Sequence, residues 1–144
     1  MARPSTLERY LARSRVLTRW PLRGMTHNPL AAHTDAWPLP VVVIPACAES
    51  PFLPQALASL RACKASAPFL VIVVVNHRET APPAWKEDNR RTLAWLGAEG
   101  AECLQAPLAW VDAATPGAEL PSSEGVGMAR KIGLDLAARL ACEA

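Results

Sequence analysis

A chain of 144 residues is long enough for one domain with its own core, and 51% apolar against 19% charged residues excludes a disordered polymer. The net charge of +2 is too small to make nucleic acid an expected partner, yet it is uneven: residues 1–37 carry six Arg against Glu8 and Asp35. Cys47, Cys63, Cys103 and Cys142 form no C-x-x-C pair, which argues against a disulfide framework or zinc site and for free thiols in a reducing compartment.

Residues 6–20 place Leu7, Tyr10, Leu11, Leu17 and Trp20 at helical spacing, with Arg9, Arg13, Arg15 and Arg19 largely off that face. Two readings follow. The helix packs its apolar face on its own domain, or it lies on an anionic membrane surface. Pro21 stops the pattern, and the Pro-rich stretch to residue 38, with His27 and His33, reads as an extended arm. Val41–Ile44 reads as a strand buried on both faces and ended by Pro45. Ser50 before Pro51 reads as the cap and first residue of a helix whose face is Leu53, Ala56, Leu57 and Leu60. Leu70–Val75 is the strongest strand signal, and Asn76–Glu79 leaves it as a polar turn. A second helix follows Pro82-Pro83, with Trp85, Asn89, Thr92, Leu93 and Leu96 on one side and Gly97 and Gly100 closing it. Leu108–Asp112 is a third strand. Asp112–Glu124 is long for a connection and reads as a binding loop. A last helix runs from about Val126, with Ala129, Ile132, Gly133, Leu136 and Leu140 facing one way. The β-α-β-α-β-α alternation predicts an α/β fold, and right-handed crossovers predict parallel strands in the order 3-2-1.

In a parallel sheet the ligand lies beyond the carboxyl ends of the strands. On that rule Glu49, Asn76 and His77 are candidate hydrogen-bonding groups for a base and ribose. Gly127 would admit a phosphate close to the backbone, and Arg130 and Lys131 would supply charge. The alternative is that these are ordinary surface turns. Gly125-x-Gly127 is no dinucleotide fingerprint, because Arg130 stands at the sixth position and the segment follows the third strand. No P-loop is present. Cys47 at a strand end could act as a nucleophile with His77 as base, but no phosphatase-type C-x5-R follows it. No transmembrane span is visible, since the longest apolar run, Phe69–Val75, is far short of the ~20 residues needed. The N-terminus lacks the apolar core of a signal peptide. The expected location is the cytoplasm, with contact at the inner face of the membrane as the alternative.

Three motifs taken in order resemble one known family. Val41-Val42-Val43-Ile44-Pro45-Ala46-x-x-Glu49, the strand Leu70–Val75, and Gly127-x-Ala129-Arg130-Lys131-x-Gly133 are similar to the nucleotide-binding half of a family 2 glycosyltransferase of the GT-A fold. The resemblance covers about residues 39–144. It implies a three-layer, Rossmann-like half-domain, preceded by a basic helix and Pro-rich arm over residues 1–38. It implies hexosyl transfer from a nucleotide-diphosphate sugar to an unidentified acceptor. It also implies nucleotide contacts by Pro45, Ala46, Glu49, Asn76, Gly127 and Arg130, and a divalent metal (Mn or Mg) bridging the diphosphate in the complete domain.

Several positions depart from the family pattern. Cys47-Ala48 replaces Tyr-Asn, Asn76-His77 stands where two Asp are usual, and Lys131 replaces Asn. The metal-binding Asp-x-Asp is expected beyond Ala144. The chain is therefore expected to hold no metal or catalytic residue itself and to be inactive alone, with an open sheet edge that favours self-association. The rival readings are a non-catalytic α/β interaction module and a small α/β hydrolase using Cys47.

Overall fold

The computed structural model describes residues 2–32, 40–63 and 69–143; residues 33–38 of the expected extended arm, His33 among them, lie outside the described residues. Strands β1 (Val41–Ala46), β2 (Leu70–Asn76) and β3 (Leu108–Ala113) form a parallel sheet with β2 in the middle. Val41 stands opposite Leu70, and Val71 opposite Leu108. Every residue of β2 is buried. Alternate side chains go to opposite faces of a strand, so β2 feeds two cores. Leu70, Ile72 and Val74 meet Ile132 and Leu136 on one side, while Val71, Val73 and Val75 meet Leu57, Leu96 and Leu104 on the other.

The first strand does not stop at Ile44 but runs through Pro45 to Ala46. The Leu70 N–H bonds to the Pro40 carbonyl at 2.9 Å, so even-numbered residues of this strand face β2 and Pro45 faces away from it, where its missing N–H breaks no bond of the β1–β2 ladder. Helix α3 (Leu53–Ala62) starts later than Ser50-Pro51 implies. Ser50 is engaged elsewhere: its N–H and Oγ bond to the Asp88 carboxylate at 3.0 and 2.5 Å. Helix α4 (Pro83–Trp95) is not closed by Gly97 and Gly100. It continues through a wider π turn, Leu96–Gly100, into α5 (Ala101–Leu104), and ends at Gln105 in left-handed conformation, φ 53°. Gly costs a helix about 1 kcal/mol, but here Leu96 and Leu104 on either side go fully into the core. Gly100 is a close-packing position, since a methyl there would meet Leu108 Cδ2 at 2.9 Å.

The N-terminal segment joins this core instead of standing apart. Helix α1 (Thr6–Arg13) begins with a reciprocal capping box between Ser5 and Glu8. After the short α2 (Val16–Arg19), Trp20 is buried and its indole N–H donates to the Ala118 carbonyl at 2.7 Å. Arg23 exchanges both backbone bonds with Trp110 and so covers part of the outer edge of β3. Leu11 is buried and Leu17 packs on the core, but Leu7 and Tyr10 stay 42% and 46% exposed. Helix α6 (Val126–Glu143) lies across β1 and β2, with all five residues of its expected apolar face buried.

Asp135, one residue from that face, ties the two ends of the chain together. It accepts from Tyr10 Oη at 2.8 Å, Ser14 Oγ at 2.7 Å and Lys131 Nζ at 2.9 Å. Burial raises its carboxyl pKa, but the bonds from Lys131, Ser14 and Tyr10 outweigh that and hold it below the usual value.

Candidate functional site

Beyond the carboxyl ends of β1 and β2 lies a cavity of about 550 Å³. Pro45, Glu49, Asn76 and His77 line it as expected. Arg78, Trp85, Gly125 and Val126 complete much of its wall. Ala46, between lining Pro45 and Cys47, turns the other way into the core.

Of the third expected segment, the loop ending at Gly127, only Gly125 and Val126 arrive with these residues. Gly127 and Lys131 line a different cleft against α1, and Arg130 is exposed and lines neither. A helix rises ~1.5 Å and turns ~100° per residue. Only its first turn reaches the cavity, and Arg130 is a full turn further along, off the face that meets the sheet. Lys131 is held by Asp135 and by Tyr10 Oη at 2.6 Å. The cation that reaches the cavity is Arg78, whose Nε donates to the Glu124 carbonyl at 2.5 Å.

Under the cavity floor Asn89 acts as a hub. It is fully buried on α4. Its Oδ1 accepts from the Ala48 N–H at 2.9 Å, which leaves Nδ2 to donate to the Asn76 carbonyl and to His77 Nδ1, each at 2.9 Å. An acceptor Nδ1 places the imidazole proton on Nε2, which donates to Glu119 at 2.7 Å. Glu119 also pairs with Lys86 at 2.9 Å. Burial raises the Glu119 carboxyl, but the bonds from Lys86 and His77 prevail and keep it ionised below the usual carboxylate range. The hub fixes Ala48 in left-handed backbone, φ 54°, and Glu119 ties down the long loop after β3. Helical spacing alone placed Asn89 on the inner face of α4; nothing local revealed its partners.

This network bears on Cys47. Both nitrogens of His77 are engaged, so neither is free to take a proton from the thiol. Burial pushes the Cys47 thiol up, more than the neighbouring Asn89 amide lowers it, and the charges of Glu49 and Asp88 push the same way. A nucleophilic cysteine needs the opposite arrangement.

Asp112, at the end of β3, accepts from the Ala114 and Thr115 N–H groups at 3.0 and 2.8 Å. Burial raises its carboxyl, but the Thr115 hydroxyl and these N–H groups, with Arg23 nearby, bring it below the usual value. Glu119, Asp112 and Asp135 thus all have folded pKa values below their unfolded ones. Each contributes stability that is complete above the unfolded carboxyl range of ~4 and is lost as pH falls through the folded value. The urea midpoint, followed by tryptophan fluorescence, is expected to be level from pH 7 to ~5 and to fall below ~4. Asp135→Asn is expected to flatten that fall, and a midpoint that rises on acidification would contradict the assignment.

Among the described residues no group of three or more His, Cys, Asp or Glu converges to hold a metal. The cavity wall offers Glu49 as its one carboxylate. These residues do not fit a divalent cation. No helix among the described residues is long and apolar enough to cross a membrane. Comparison with protein-family models, curated proteins and solved structures finds no match to the chain.

Proposed function

We propose that the chain binds a nucleoside diphosphate sugar, as the nucleotide-binding portion of a glycosyltransferase-like domain of family 2. The observation that carries this reading is the place and lining of the cavity. It opens beyond the carboxyl ends of parallel strands and has apolar walls at Pro45, Pro82 and Trp85. A few polar groups converge on it, with a helix N-terminus at one side. Asn76 Nδ2 is used on the Val74 and Ala46 carbonyls, which leaves Oδ1 for a base edge. Trp85, 48% exposed, offers a face for stacking. Arg78 and the Gly125 and Val126 N–H groups at the start of α6 form the diphosphate end, in the role that Arg130 and Lys131 had on sequence grounds. In this reading the described residues supply recognition, and the charge stabilisation needed at a departing diphosphate is supplied by the rest of the domain.

Calorimetric titration with uridine, guanosine and adenosine diphosphates, with and without manganese, tests the proposal. At least one is expected to bind, with Arg78→Gln and Trp85→Ala each weakening it about tenfold, the order of one charge-assisted bond or one stacking contact. No binding across the panel would overturn the reading. The second reading, a non-catalytic module that pairs through β1, rests on that strand having a ladder partner on one side only among the described residues. Absence of nucleotide binding together with a dimer in sedimentation would favour it.

A further inference from the structure

We infer a second, separate anion site, which takes a phosphate group, in the cleft between α1 and the first turns of α6. The cleft has a volume of about 840 Å³ and shares no lining residue with the cavity at the sheet edge. Arg9, Arg13 and Arg15 line one side, Gly127 and Lys131 the other, and Glu124 is the one carboxylate on its wall. Lys131 is neutralised by Asp135, so the arginines exceed Glu124 by two charges. That excess matches a phosphate dianion, and guanidinium forks fit its oxygens.

The three arginines line the cleft with no carboxylate paired to any of them among the described residues. Arg9 and Arg13 are one turn apart on α1, where like charges repel. Among the described residues Arg9 meets only the Thr6 hydroxyl, at 3.2 Å. Arg90 and Arg91 pair with Glu87 and Arg139 with Glu143, whereas Arg61 and Arg130, like these three, pair with no carboxylate among the described residues; what sets Arg9, Arg13 and Arg15 apart is that they line one cleft. The frame is fixed at the same time. Tyr10 Oη bonds Asp135, and Lys131 lies over the Tyr10 ring at 5.0 Å, so α1 is anchored to α6 beside the cleft. At Gly127 an added Cβ would meet nothing within 4 Å, leaving open space over the backbone for an anion.

The group could belong to a soluble phosphorylated compound or to a lipid headgroup, and the test separates these sources. Pyrophosphate is titrated calorimetrically at low salt into the full chain and into three variants. Co-sedimentation with phosphatidylcholine vesicles, with and without phosphatidic acid, is measured in parallel. Arg9→Gln/Arg13→Gln is expected to lower affinity about a hundredfold, roughly tenfold per guanidinium. The remote Arg61→Gln is expected to leave it unchanged. Arg78→Gln is included to remove any pyrophosphate bound at the sheet-edge cavity, so that the binding it retains reports the cleft between α1 and α6 alone. Circular dichroism checks that the variants fold. Vesicle binding that needs phosphatidic acid, is displaced by pyrophosphate and is lost in the double variant identifies the lipid source. Pyrophosphate binding alone identifies the soluble one. If neither probe binds, or if the double variant binds like the parent, the inference is overturned. Nucleoside diphosphate binding by the double variant should match the parent, so the two sites stand or fall separately.

Discussion

Replacing Asn89 by alanine is expected to lower the unfolding free energy by about 3–5 kcal/mol and to disorganise the cavity floor, because several buried polar groups lose their partner at once. The Ala48 N–H, the Asn76 carbonyl and His77 Nδ1 each depend on this one amide. Each unsatisfied buried group costs about 1–3 kcal/mol, and an entering water would recover part of that. Asn89→Asp separates shape from chemistry. It keeps an acceptor for Ala48 but turns a second oxygen towards two acceptors, so it is expected to be nearly as damaging. Urea unfolding gives the magnitude. Nitrogen chemical shifts of the imidazole give the mechanism, since His77 in the parent should report its proton on Nε2 and in Asn89→Asp should gain one on Nδ1. A loss below about 1 kcal/mol for Asn89→Ala would show that the amide is not the hub.

Much of the scaffold could be read from the chain because its signals are local. The run Leu70–Val75 has no polar residue, and a strand so composed must be covered on both faces, as β2 is. The spacing of Ala129, Ile132, Gly133, Leu136 and Leu140 fixed which side of α6 meets the sheet. The misses come from partners far apart in sequence. Asp135 sits between Leu134 and Leu136, and nothing nearby shows that Tyr10 and Ser14 will complete it. Ser50-Pro51 has the composition of a helix start, yet Asp88 captures the serine and α3 begins later. At the site, the strand ends placed Glu49, Asn76 and His77 correctly. The turn of a helix separated Gly125 and Val126, which reach the cavity, from Gly127, Arg130 and Lys131, which do not. Glu119 resembles a solvated loop carboxylate in the sequence, but the loop folds back and lays it against His77.

Gly133→Ala is expected to destabilise the chain by about 2 kcal/mol, although the same change in an exposed helix would stabilise it. Alanine gains about 1 kcal/mol over glycine in a helix interior. Overpacking a rigid core costs about 1–3 kcal/mol, more where the neighbour cannot turn away. The geometry at Gly133 decides between these effects. A methyl there would collide with Val43 Cγ1 and lie 3.2 Å from Val74 Cγ2. Both neighbours are β-branched strand residues, stiff about χ1 and fixed by the β1–β2 register. The remaining response is for α6 to lift from the sheet, which would loosen Ile132 and Leu136 as well. Two further variants isolate the cause. Gly127→Ala, where an added Cβ meets nothing within 4 Å, is expected to be neutral or slightly stabilising. Val43→Ala in the Gly133→Ala background is expected to recover part of the loss, a positive coupling in a double-mutant cycle. Equal effects at Gly127 and Gly133 would mean that helix propensity governs both, and that α6 does not rest on the sheet as closely as the side chains indicate.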